Sequence, residues 1–409
     1  MASLISVEEA QSLLLDHISP TSLESCNLPQ ALGRTLREDF VSHQSSPLFD
    51  KSLMDGYAVR TQDLTSDVVT LDVLEMVSAG EVGRHEIAEG ETVQIMTGAP
   101  LPNGADAVIP VEKSQPVAEK QRVELQTSGI SPETNLIRAG AILREGQTLI
   151  SAGTVIRPAE IALLAEYGRA DISVSRRPFV SILATGDELV PAGESLGPGQ
   201  IRNSNAPMLE SQVASAGAIP NNLGIGRDRL DDLREKIAAA LTGDFLLLSG
   251  GVSAGEKDLV PQVLKECGVR EIFHKVRVKP GKPLWFGVQE KPDGKKTYVF
   301  GLPGNPVSSM LCFEVFVRTA IRQFLGQSHP LPVLRKLRLG KAHVAAGGRP
   351  TYYPSQFVSH PDGLSVEPVD WKGSSDLFAP TQADCWILFP AGDREWPVGE
   401  MVDVLIPAL

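Results

Sequence analysis

Three apolar runs, each followed by a glycine-bearing loop and then a helical pattern, constrain the fold more than any other feature. They are FVSILATGDEL before NAPMLESQVASAG, FLLLSGGVSAG before DLVPQVLKECG, and YVFGLPGNP before VSSMLCFEVFVRTAIRQFL. Continuous apolar strands that alternate with helices are typical of a parallel sheet covered on both faces. Ligands of such sheets bind beyond the carboxyl ends of the strands, so we expect all three loops to border one site.

The regions on either side of this α/β pattern have the character of β structure. Residues 67–150 contain alternating segments such as VVTLDVLEMV and QRVELQT, and the short alternating segments beyond residue 334 predict a small antiparallel sandwich or barrel. A chain of 409 residues is also too long for one ordinary core. We therefore predict a multidomain α/β plus β protein with a mostly parallel central sheet.

The overall charge and the cysteines indicate which kinds of partner the protein lacks and in which compartment it lies. A formal charge of −12 argues against a broad surface for nucleic acid or for an anionic membrane. The four cysteines form no C-x-x-C pair, and we interpret them as reduced; they are Cys26, Cys267, Cys312 and Cys385. No apolar run is long enough to cross a bilayer, and the first residues lack the basic segment of a secretion signal. These features predict a cytoplasmic protein.

The second glycine loop admits two interpretations. It contains Gly251-Val-Ser253-Ala-Gly255, the G-x-S-x-G pattern of a hydrolase nucleophile elbow. An elbow needs a tight turn between strand and helix, whereas Ser249 and Gly250 intervene here and the helical pattern begins only near Asp258. The other interpretation is a set of main-chain amides that bind an anion. We favour the anion-binding loop and keep the hydrolase as a rival.

A dense group of cations supports the anion-binding interpretation. HKVRVKPGK, residues 274–282, carries four cations and no acid. Lys275, Arg277 and Lys279 recur at every second residue, so on a strand they would project from one face, with Lys282 just beyond. Such a cluster in an acidic protein predicts a site for an oxyanion, and a solvated strand face is the alternative.

Four carboxylates stand at or near junctions between loops and helices: Asp187, Glu188, Asp228 and Asp258. Asp228 and Asp258 precede helical patterns, so helix capping alone is one explanation for them. Carboxylates beside cations and main-chain amides also suit Mg²⁺, which one or two carboxylates and the phosphates of a substrate usually hold. The sequence thus indicates phosphate or oxyanion chemistry with a metal rather than acyl transfer.

A set of motifs occurs in one order along nearly the whole chain. They are SLMDGYAVR at 52–60, IMTGAP at 95–100 with GADAV at 104–108, ATGDEL at 184–189, SGGVSAG at 249–255, KPGKP at 279–283 and GLPGNPVS at 301–308. In this order they resemble the molybdopterin molybdenumtransferase family, which includes the MoeA proteins and the gephyrin E domain.

The resemblance implies four domains and a reaction. It assigns 1–45 with 150–176 to an elongated N-terminal segment, 46–149 to an inserted β domain, 177–327 to a molybdopterin-binding α/β domain and 328–409 to a C-terminal, barrel-like β domain. Family members are homodimers whose cleft lies between the α/β domain of one subunit and the inserted domain of the other. They insert molybdate into adenylylated molybdopterin (molybdopterin-AMP) and release AMP with Mg²⁺. Molybdopterin adenylyltransferase and molybdoenzyme maturation factors are candidate partners.

The resemblance and the residue patterns together give a set of candidate site residues. The candidate catalytic residues are Asp187, Glu188, Asp228, Asp258, Lys275 and Lys279, and the four acids among them are the candidate metal ligands. The candidate substrate-binding residues are Asp55, Thr97, Ser249, Gly250, Gly251, Ser253, Gly255, Arg277, Lys282, Pro303, Asn305, Pro306, Ser308, Arg349 and Ser374. Asp55, Thr97, Arg349 and Ser374 rest on the resemblance alone.

Two positions depart from the family pattern. Where relatives usually show R-x-x-G-E-D, this chain has IRAGAI at 137–142, so Ile142 replaces the usual functional aspartate. Lys51 stands where relatives commonly have asparagine. The missing carboxylate favours a rival function, that of a non-catalytic molybdopterin-binding or scaffold protein. A second rival is a molybdopterin adenylyltransferase, although that activity belongs to a related stand-alone α/β fold without the flanking domains.

Overall fold

The computed structural model describes residues 4–117, 121–251, 259–361 and 363–407. Contacts between Cα atoms divide the chain into two compact units. The first unit comprises Met1–Glu38, Ala152–Ile161 and Ala170–Leu409, and the second comprises Asp39–Ser151 and Ala162–Arg169. The four-domain boundaries implied by the family resemblance stay a prediction.

A six-stranded sheet lies at the centre of the first unit. In chain order its strands are β1 (Phe179–Thr185), β2 (Ile219–Gly226), β3 (Phe245–Ser249), β4 (Val269–His274), β5 (Trp285–Glu290) and β6 (Lys296–Leu302). The spatial order is β2-β1-β3-β6-β5-β4. Strands β2, β1, β3 and β6 are parallel, while β5 and β4 continue the sheet in antiparallel pairing. The prediction of a mostly parallel sheet is confirmed.

Helices cover both faces of this sheet, as the unbroken apolar strands predict. Along β3, Phe245 and Leu247 belong to one hydrophobic core, whereas Leu246 and Leu248 belong to another. The first core receives α1 (Asn205–Ser215) and the helical segment 306–324, and the second receives α2 (Leu230–Ala240) and α3 (Val260–Glu266). The segment 306–324 consists of Pro306–Cys312, a π-helical turn at Phe313–Val317 and Arg318–Phe324.

Two short elements of the first unit come from the ends of the predicted N-terminal segment. The helix Val7–His17 begins with a capping box formed by Ser6 and Glu9, and it buries Ala10 and Leu14 in the first core. The strand Leu23–Asn27 pairs antiparallel with Asp171–Ser175. Between these two strands in sequence, the helix Pro158–Glu166 ends before Gly168, whose φ of 72° lies in the left-handed region that ends helices.

The C-terminal part of the first unit is a closed five-stranded barrel. Its strands, in spatial order, are Leu334–Leu339, Gly363–Pro368, Thr351–His360, Cys385–Phe389 and Met401–Leu405. Val366, Ile387 and Phe389 are buried at its centre. The strand pair His343–Ala345 with Arg394–Trp396 and the short helix Phe378–Thr381 complete this part. The predicted C-terminal β domain is therefore barrel-like.

The second unit is built on another six-stranded sheet. In spatial order its strands are Ala107–Pro110, Gly56–Val59, Glu91–Ile95, Val68–Val77, Arg122–Gln126 and Ser114–Val117. Two short antiparallel pairs accompany it, Lys51–Ser52 with Leu136–Ile137 and Phe40–Val41 with Thr148–Ile150. Short 3-10 turns lie at Leu28–Gln30 in the first unit and at Thr61–Asp63 and Val111–Lys113 in the second.

Two findings bear on the predicted compartment. All four cysteines have free thiols, and Cys26, Cys312 and Cys385 are buried. In the described part of the chain, no helix has the length and apolar character that a membrane span requires.

Candidate active site

A cavity of about 1380 Å³ opens in the first unit at the carboxyl ends of β1, β3 and β6. Each of the three predicted loops contributes to its wall: Thr185-Gly186 after β1, Ser249-Gly250-Gly251 after β3, and Pro303-Gly304-Asn305 after β6. Pro306 and Ser308, at the start of the segment 306–324, also line it. The loops that were expected to border one site therefore lie together, because parallel strands end at the same edge of a sheet.

The glycine turn after β3 is shaped by close packing. Gly250 and Gly251 have φ angles of 92° and 66°, a region that L side chains rarely adopt. A Cβ atom on Gly250 would lie 2.8 Å from the main-chain oxygen of Thr185, so glycine is required there on steric grounds as well. The strand ends at Ser249, and the next helix among the described residues begins at Val260. Ser253, Gly255 and Asp258 lie outside the described residues.

Two of the four cations in residues 274–282 line the cavity. Lys279 and Lys282 line the wall, whereas Lys275 and Arg277 are not among the described lining residues. The expectation of one alternating strand is wrong: β4 ends at His274, and Lys275 has a positive φ of 73°, which breaks the alternation. The cations at 279 and 282 are thus presented by a loop.

Residues 275–277 are held by main-chain pairing with Ile5. The Arg277 amide donates to the Ile5 oxygen at 2.7 Å, and Ile5 forms a parallel bridge with Val276. Because of this pairing, residues 275–277 do not continue β4.

Residues next to the barrel strand Thr351–His360 reach the same cavity. Arg349 lines it and donates from Nη1 to the Val278 oxygen at 2.9 Å. Ser374 also lines it, and its hydroxyl accepts a hydrogen bond from Asn305 Nδ2 at 2.8 Å. The resemblance alone had suggested that Arg349 and Ser374 lie at this site, and the structure places both in its wall.

Carboxylates occupy another part of the wall. Glu188 and Asp228 line the cavity, and the Asp228 amide donates to Asp187 Oδ1 at 3.3 Å, although Asp187 is not among the described lining residues. Burial raises the pKa of Asp228, and repulsion from Asp187 and Glu188 adds to this rise. The N-cap position of the helix Leu230–Ala240 is Arg229 rather than Asp228, and no described side chain caps the helix, so the capping explanation for Asp228 is wrong. None of the ion pairs among the described residues involves these three carboxylates, and negative charge of this kind favours a bound cation.

The neighbouring Arg227 leaves these carboxylates free. Its Nη1 donates to the main-chain oxygens of Asp187 and Leu189, both at 3.1 Å. The guanidinium thereby joins the loop after β1 to the loop before α2, and both of these hydrogen bonds go to main-chain oxygens rather than to the acidic side chains.

The residues present fit a magnesium ion only in part. Within residues 4–117, 121–251, 259–361 and 363–407, no group of three or more His, Cys, Asp or Glu side chains is arranged to hold a metal. Mg²⁺, however, is usually bound by one or two carboxylates and completed by substrate phosphates and water. Glu188 and Asp228 meet that smaller requirement because they share the cavity wall and carry oxygen donors.

In the second unit, the candidate residues Asp55 and Thr97 are hydrogen-bonded to each other. Both the amide and the hydroxyl of Thr97 donate to Asp55 Oδ1 at 2.7 Å. These hydrogen bonds hold the pKa of Asp55 below its ordinary value. The Asp55 carboxylate is therefore kept ionised and fixed in one orientation.

The loop that carries Ile142 is also in the second unit and is braced by ion pairs. Arg138 contacts both Asp50 and Glu133, and the Ala139 amide donates to Asp50 Oδ1 at 2.8 Å. Ile142 is 60% exposed, so burial does not explain an apolar residue at this position.

Several residues of the cavity wall escaped the sequence analysis. Tyr353 and Trp371 line the wall with ring centroids 5.1 Å apart, and Thr185 and Asn205 lie beside the glycine turn. Trp371 directly precedes KGSS, the segment that contains Ser374, which was the available signal for it. Asn205 had no such signal, because in sequence it is simply the start of a helix.

The fold and the cavity define a class of α/β protein whose site lies at the carboxyl ends of parallel strands and is lined by glycine turns, cations and carboxylates. Three family models match the chain: "MoeA N-terminal region (domain I and II)" over residues 5–168, "Probable molybdopterin binding domain" over 181–323 and "MoeA C-terminal region (domain IV)" over 336–406. The chain belongs to the molybdopterin molybdenumtransferase family, the MoeA proteins, and is therefore a transferase of molybdenum cofactor biosynthesis.

Individual relatives extend over almost the whole chain. The molybdopterin molybdenumtransferase of Bacillus subtilis is 33% identical over 98% of this chain and 94% of its own length. That of Staphylococcus aureus is 31% identical over 98% of this chain and 95% of its own. A crystal structure of the molybdopterin biosynthesis MoeA protein of Pyrococcus horikoshii covers 99% of this chain and 100% of its own, with 28% identity and a TM-score of 0.84.

Proposed function

We propose that this protein inserts molybdate into adenylylated molybdopterin and releases AMP. The observation that carries the proposal is a single cavity with two kinds of electrostatic environment. Lys279, Lys282 and Arg349 offer positive charge to phosphate and molybdate oxygens, while Glu188 and Asp228 offer oxygen ligands to a cation. A substrate that combines a phosphoanhydride with an oxyanion needs both.

The residues of the chain act mainly by binding and orientation in this proposal. The cations offset the charge of the phosphates and molybdate, and the amides of the glycine turn at Gly250 orient their oxygens. A water molecule attacks one phosphorus of the phosphoanhydride as its bond to the bridging oxygen breaks, so AMP and the molybdopterin each leave with a phosphate and no covalent intermediate with the enzyme is required. We assign Ser253 to ligand binding for that reason, and turnover retained by a Ser253→Ala variant would exclude nucleophilic attack by this residue.

A magnesium ion would be held by Glu188 and Asp228, with Asp187 and Asp258 as the further candidate ligands. When bound, it would withdraw charge from the scissile phosphoanhydride. Protein ligands that number only one or two are consistent with magnesium that arrives together with a phosphorylated substrate.

The proposal includes a cytoplasmic homodimer, on the strength of the family resemblance. In such a dimer the partner subunit would supply Asp55 and Thr97 to complete the cleft. The hydrogen-bonded arrangement of these two residues supports a functional role because it fixes an ionised carboxylate. The molar mass measured by light scattering tests the dimer.

The central experiment measures AMP. Purified protein is incubated with adenylylated molybdopterin, molybdate and magnesium, and AMP is quantified by chromatography. We expect AMP to form and to depend on molybdate. Omission of molybdate is the control for spontaneous hydrolysis.

A second candidate function is a non-catalytic molybdopterin-binding protein. The observation in its favour is Ile142, an exposed apolar residue at the position of the usual family aspartate. Tight binding of the substrate with no release of AMP in the same experiment would support this function over the transferase.

A further inference from the structure

A short segment of the barrel part runs along the cavity wall without burying any of its residues. Residues 371–377, called the strap below, all line the cavity except Asp376. Each of residues 371–378 is described, and each is exposed or half-buried. Segments with few buried contacts are the ones that open most readily in a native protein. The bonds that hold the strap in place therefore decide whether this part of the wall is closed.

Some of the hydrogen bonds of the strap are local and are centred on Asp376. Its Oδ2 accepts from the Lys372 amide at 3.0 Å. Its Oδ1 accepts from the amides of Phe378 and Ala379 at 3.1 and 3.3 Å. The Asp376 amide in turn donates to the Gly373 oxygen at 3.0 Å. These bonds fold the segment into a compact turn, but they do not attach it to the opposite side of the cavity.

Two hydrogen bonds join the strap to the residues that follow β6, and Ser374 makes both. Its main-chain oxygen accepts from the Val307 amide at 3.1 Å. Its hydroxyl accepts from Asn305 Nδ2 at 2.8 Å. The strap is therefore fastened across the cavity at one residue near its middle, and we call this pair of bonds the latch.

Helix capping does not explain the asparagine of the latch. Asn305 occupies the N-cap position of the helix Pro306–Cys312, where an asparagine side chain usually accepts from an amide of the first turn, but no described side chain caps this helix. Pro306 has no amide hydrogen, and the Val307 amide is bonded to the Ser374 oxygen instead. The strap thus provides the cap, and the Asn305 side chain is left to hold Ser374.

We propose that Asn305 is a positioning residue, which latches the strap over the cavity through Ser374 and does not itself contact the substrate. Gly373, beside the latch, has a φ of 116° and open space where a Cβ atom would lie, so the strap can bend there. The latched strap keeps the barrel side of the wall in place during turnover. The effect on turnover rests on the proposed function, whereas the latch itself does not.

The first test needs no ligand. Amide hydrogen exchange of the ligand-free protein is followed by mass spectrometry on peptides that cover residues 305–312 and 371–379. We expect Asn305→Ala and Ser374→Ala to exchange about three- to tenfold faster at Val307 and in the strap, because each loses one net hydrogen bond of the latch. Ser374→Thr keeps a hydroxyl and should exchange like the wild type. A side chain that only contacts a ligand would leave these rates unchanged.

The matched control is Ser328→Ala. The Ser328 hydroxyl is also exposed and donates to the Ala152 oxygen at 3.2 Å, and Ser328 is not among the described lining residues. Its loss should leave exchange in the strap at the wild-type rate. The thermal unfolding midpoints of the control and of the two latch variants should agree within about 3 °C, so that faster exchange reports the strap rather than global unfolding.

The second test asks whether Asn305 and Ser374 act as a pair. The value of kcat/KM for AMP release is measured for the wild type, the two single alanine variants and the double variant. We expect each single variant to lower it by about three- to tenfold. The double variant should be no less active than the less active single variant, because the latch is already broken in each.

Either of two results would overturn the latch. One is unchanged exchange of the strap in Asn305→Ala, and the other is multiplied effects in the double variant, which would indicate two independent contacts with the substrate. The outcome is separable from that of the proposed reaction. If the wild-type protein releases no AMP, the proposed reaction is rejected and amide exchange still decides on the latch, whereas AMP release with unchanged exchange rejects only the latch.

Discussion

Arg349 donates a hydrogen bond from Nη1 to the main-chain oxygen of Val278 at a distance of 2.9 Å. Val278 immediately precedes Lys279, and both Lys279 and Arg349 line the cavity. The Lys279 amide also donates to the Pro350 oxygen at 2.9 Å. The barrel side of the first unit therefore fixes the loop that presents the cations, and the barrel takes part in shaping the site.

Replacement of Arg349 tests this role. We expect Arg349→Met to lower kcat/KM for AMP release by about tenfold or more, because it removes a charged donor and the contact with Val278. Arg349→Lys should have a smaller effect, since it keeps the charge but not the planar fork. Arg338→Met, an exposed barrel residue, is the control. Equal activity of Arg349→Met and the control would contradict the assignment.

Ile142 offers a gain-of-function experiment. We expect Ile142→Asp to raise the rate of AMP release, because it restores a carboxylate at the position where the family usually has one. The side chain is 60% exposed, so the free energy of unfolding should change by less than about 0.5 kcal/mol. Ile142→Asn controls for polarity without charge. If Asp and Asn variants behave alike, a carboxylate at this position is dispensable in this protein.

We expect the Asp228 carboxylate to lower the free energy of unfolding while it contributes to AMP release. Asp228→Asn removes a charge that burial and the neighbours Asp187 and Glu188 disfavour, so the unfolding free energy should stay level or rise. AMP release should fall by about a hundredfold or more if the carboxylate binds the catalytic metal. Asp231→Asn, whose side chain is 99% exposed, is the matched control. Wild-type turnover in Asp228→Asn would refute the metal-binding role.

His343 should make the barrel sensitive to acid. Its ring stacks on Phe389 at 4.5 Å, and burial lowers the pKa of His343 below its ordinary value. The unfolded chain then binds a proton more readily than the folded one, so stability is fully present above about pH 6.5 and falls as the pH drops through that value.

The comparison uses His343→Phe, which keeps a ring against Phe389 and removes the titration. Its unfolding midpoint should decline less than that of the wild type between about pH 7 and pH 5. His329→Gln, an exposed residue between the sheet and the barrel, should follow the wild type. Parallel profiles for all three proteins would rule out the assigned effect.

The parts of the fold that were predictable are those set by local pattern. The strands β1, β3 and β6 were recognisable because each is apolar on both faces and is followed by a loop that contains glycine. The segment 274–282 was misjudged because its alternation of cations resembles a strand, whereas the backbone turns at Lys275 and pairs with Ile5. Pairing between residues so distant in sequence leaves no periodic signal.

The same distinction applies to the site. The glycine turns and most of the charged wall residues were found, because glycine and clustered charge are visible in the sequence itself. Asn205 was missed because its significance comes from contacts with Ser249 and Gly304, which only the folded sheet brings near.

The bridge between Ile5 and Val276 also has a consequence for biosynthesis. During translation, the segment around residue 5 is synthesised long before the segment around residue 276. It therefore stays unpaired until residue 276 has been added. The loop with Lys279 therefore gains its final support late, by closure across a long stretch of chain, which is a slow type of contact to form. A nascent chain that ends before residue 276 lacks β5, β6 and the segment 306–324, so both its central sheet and the cavity at the edge of that sheet are incomplete.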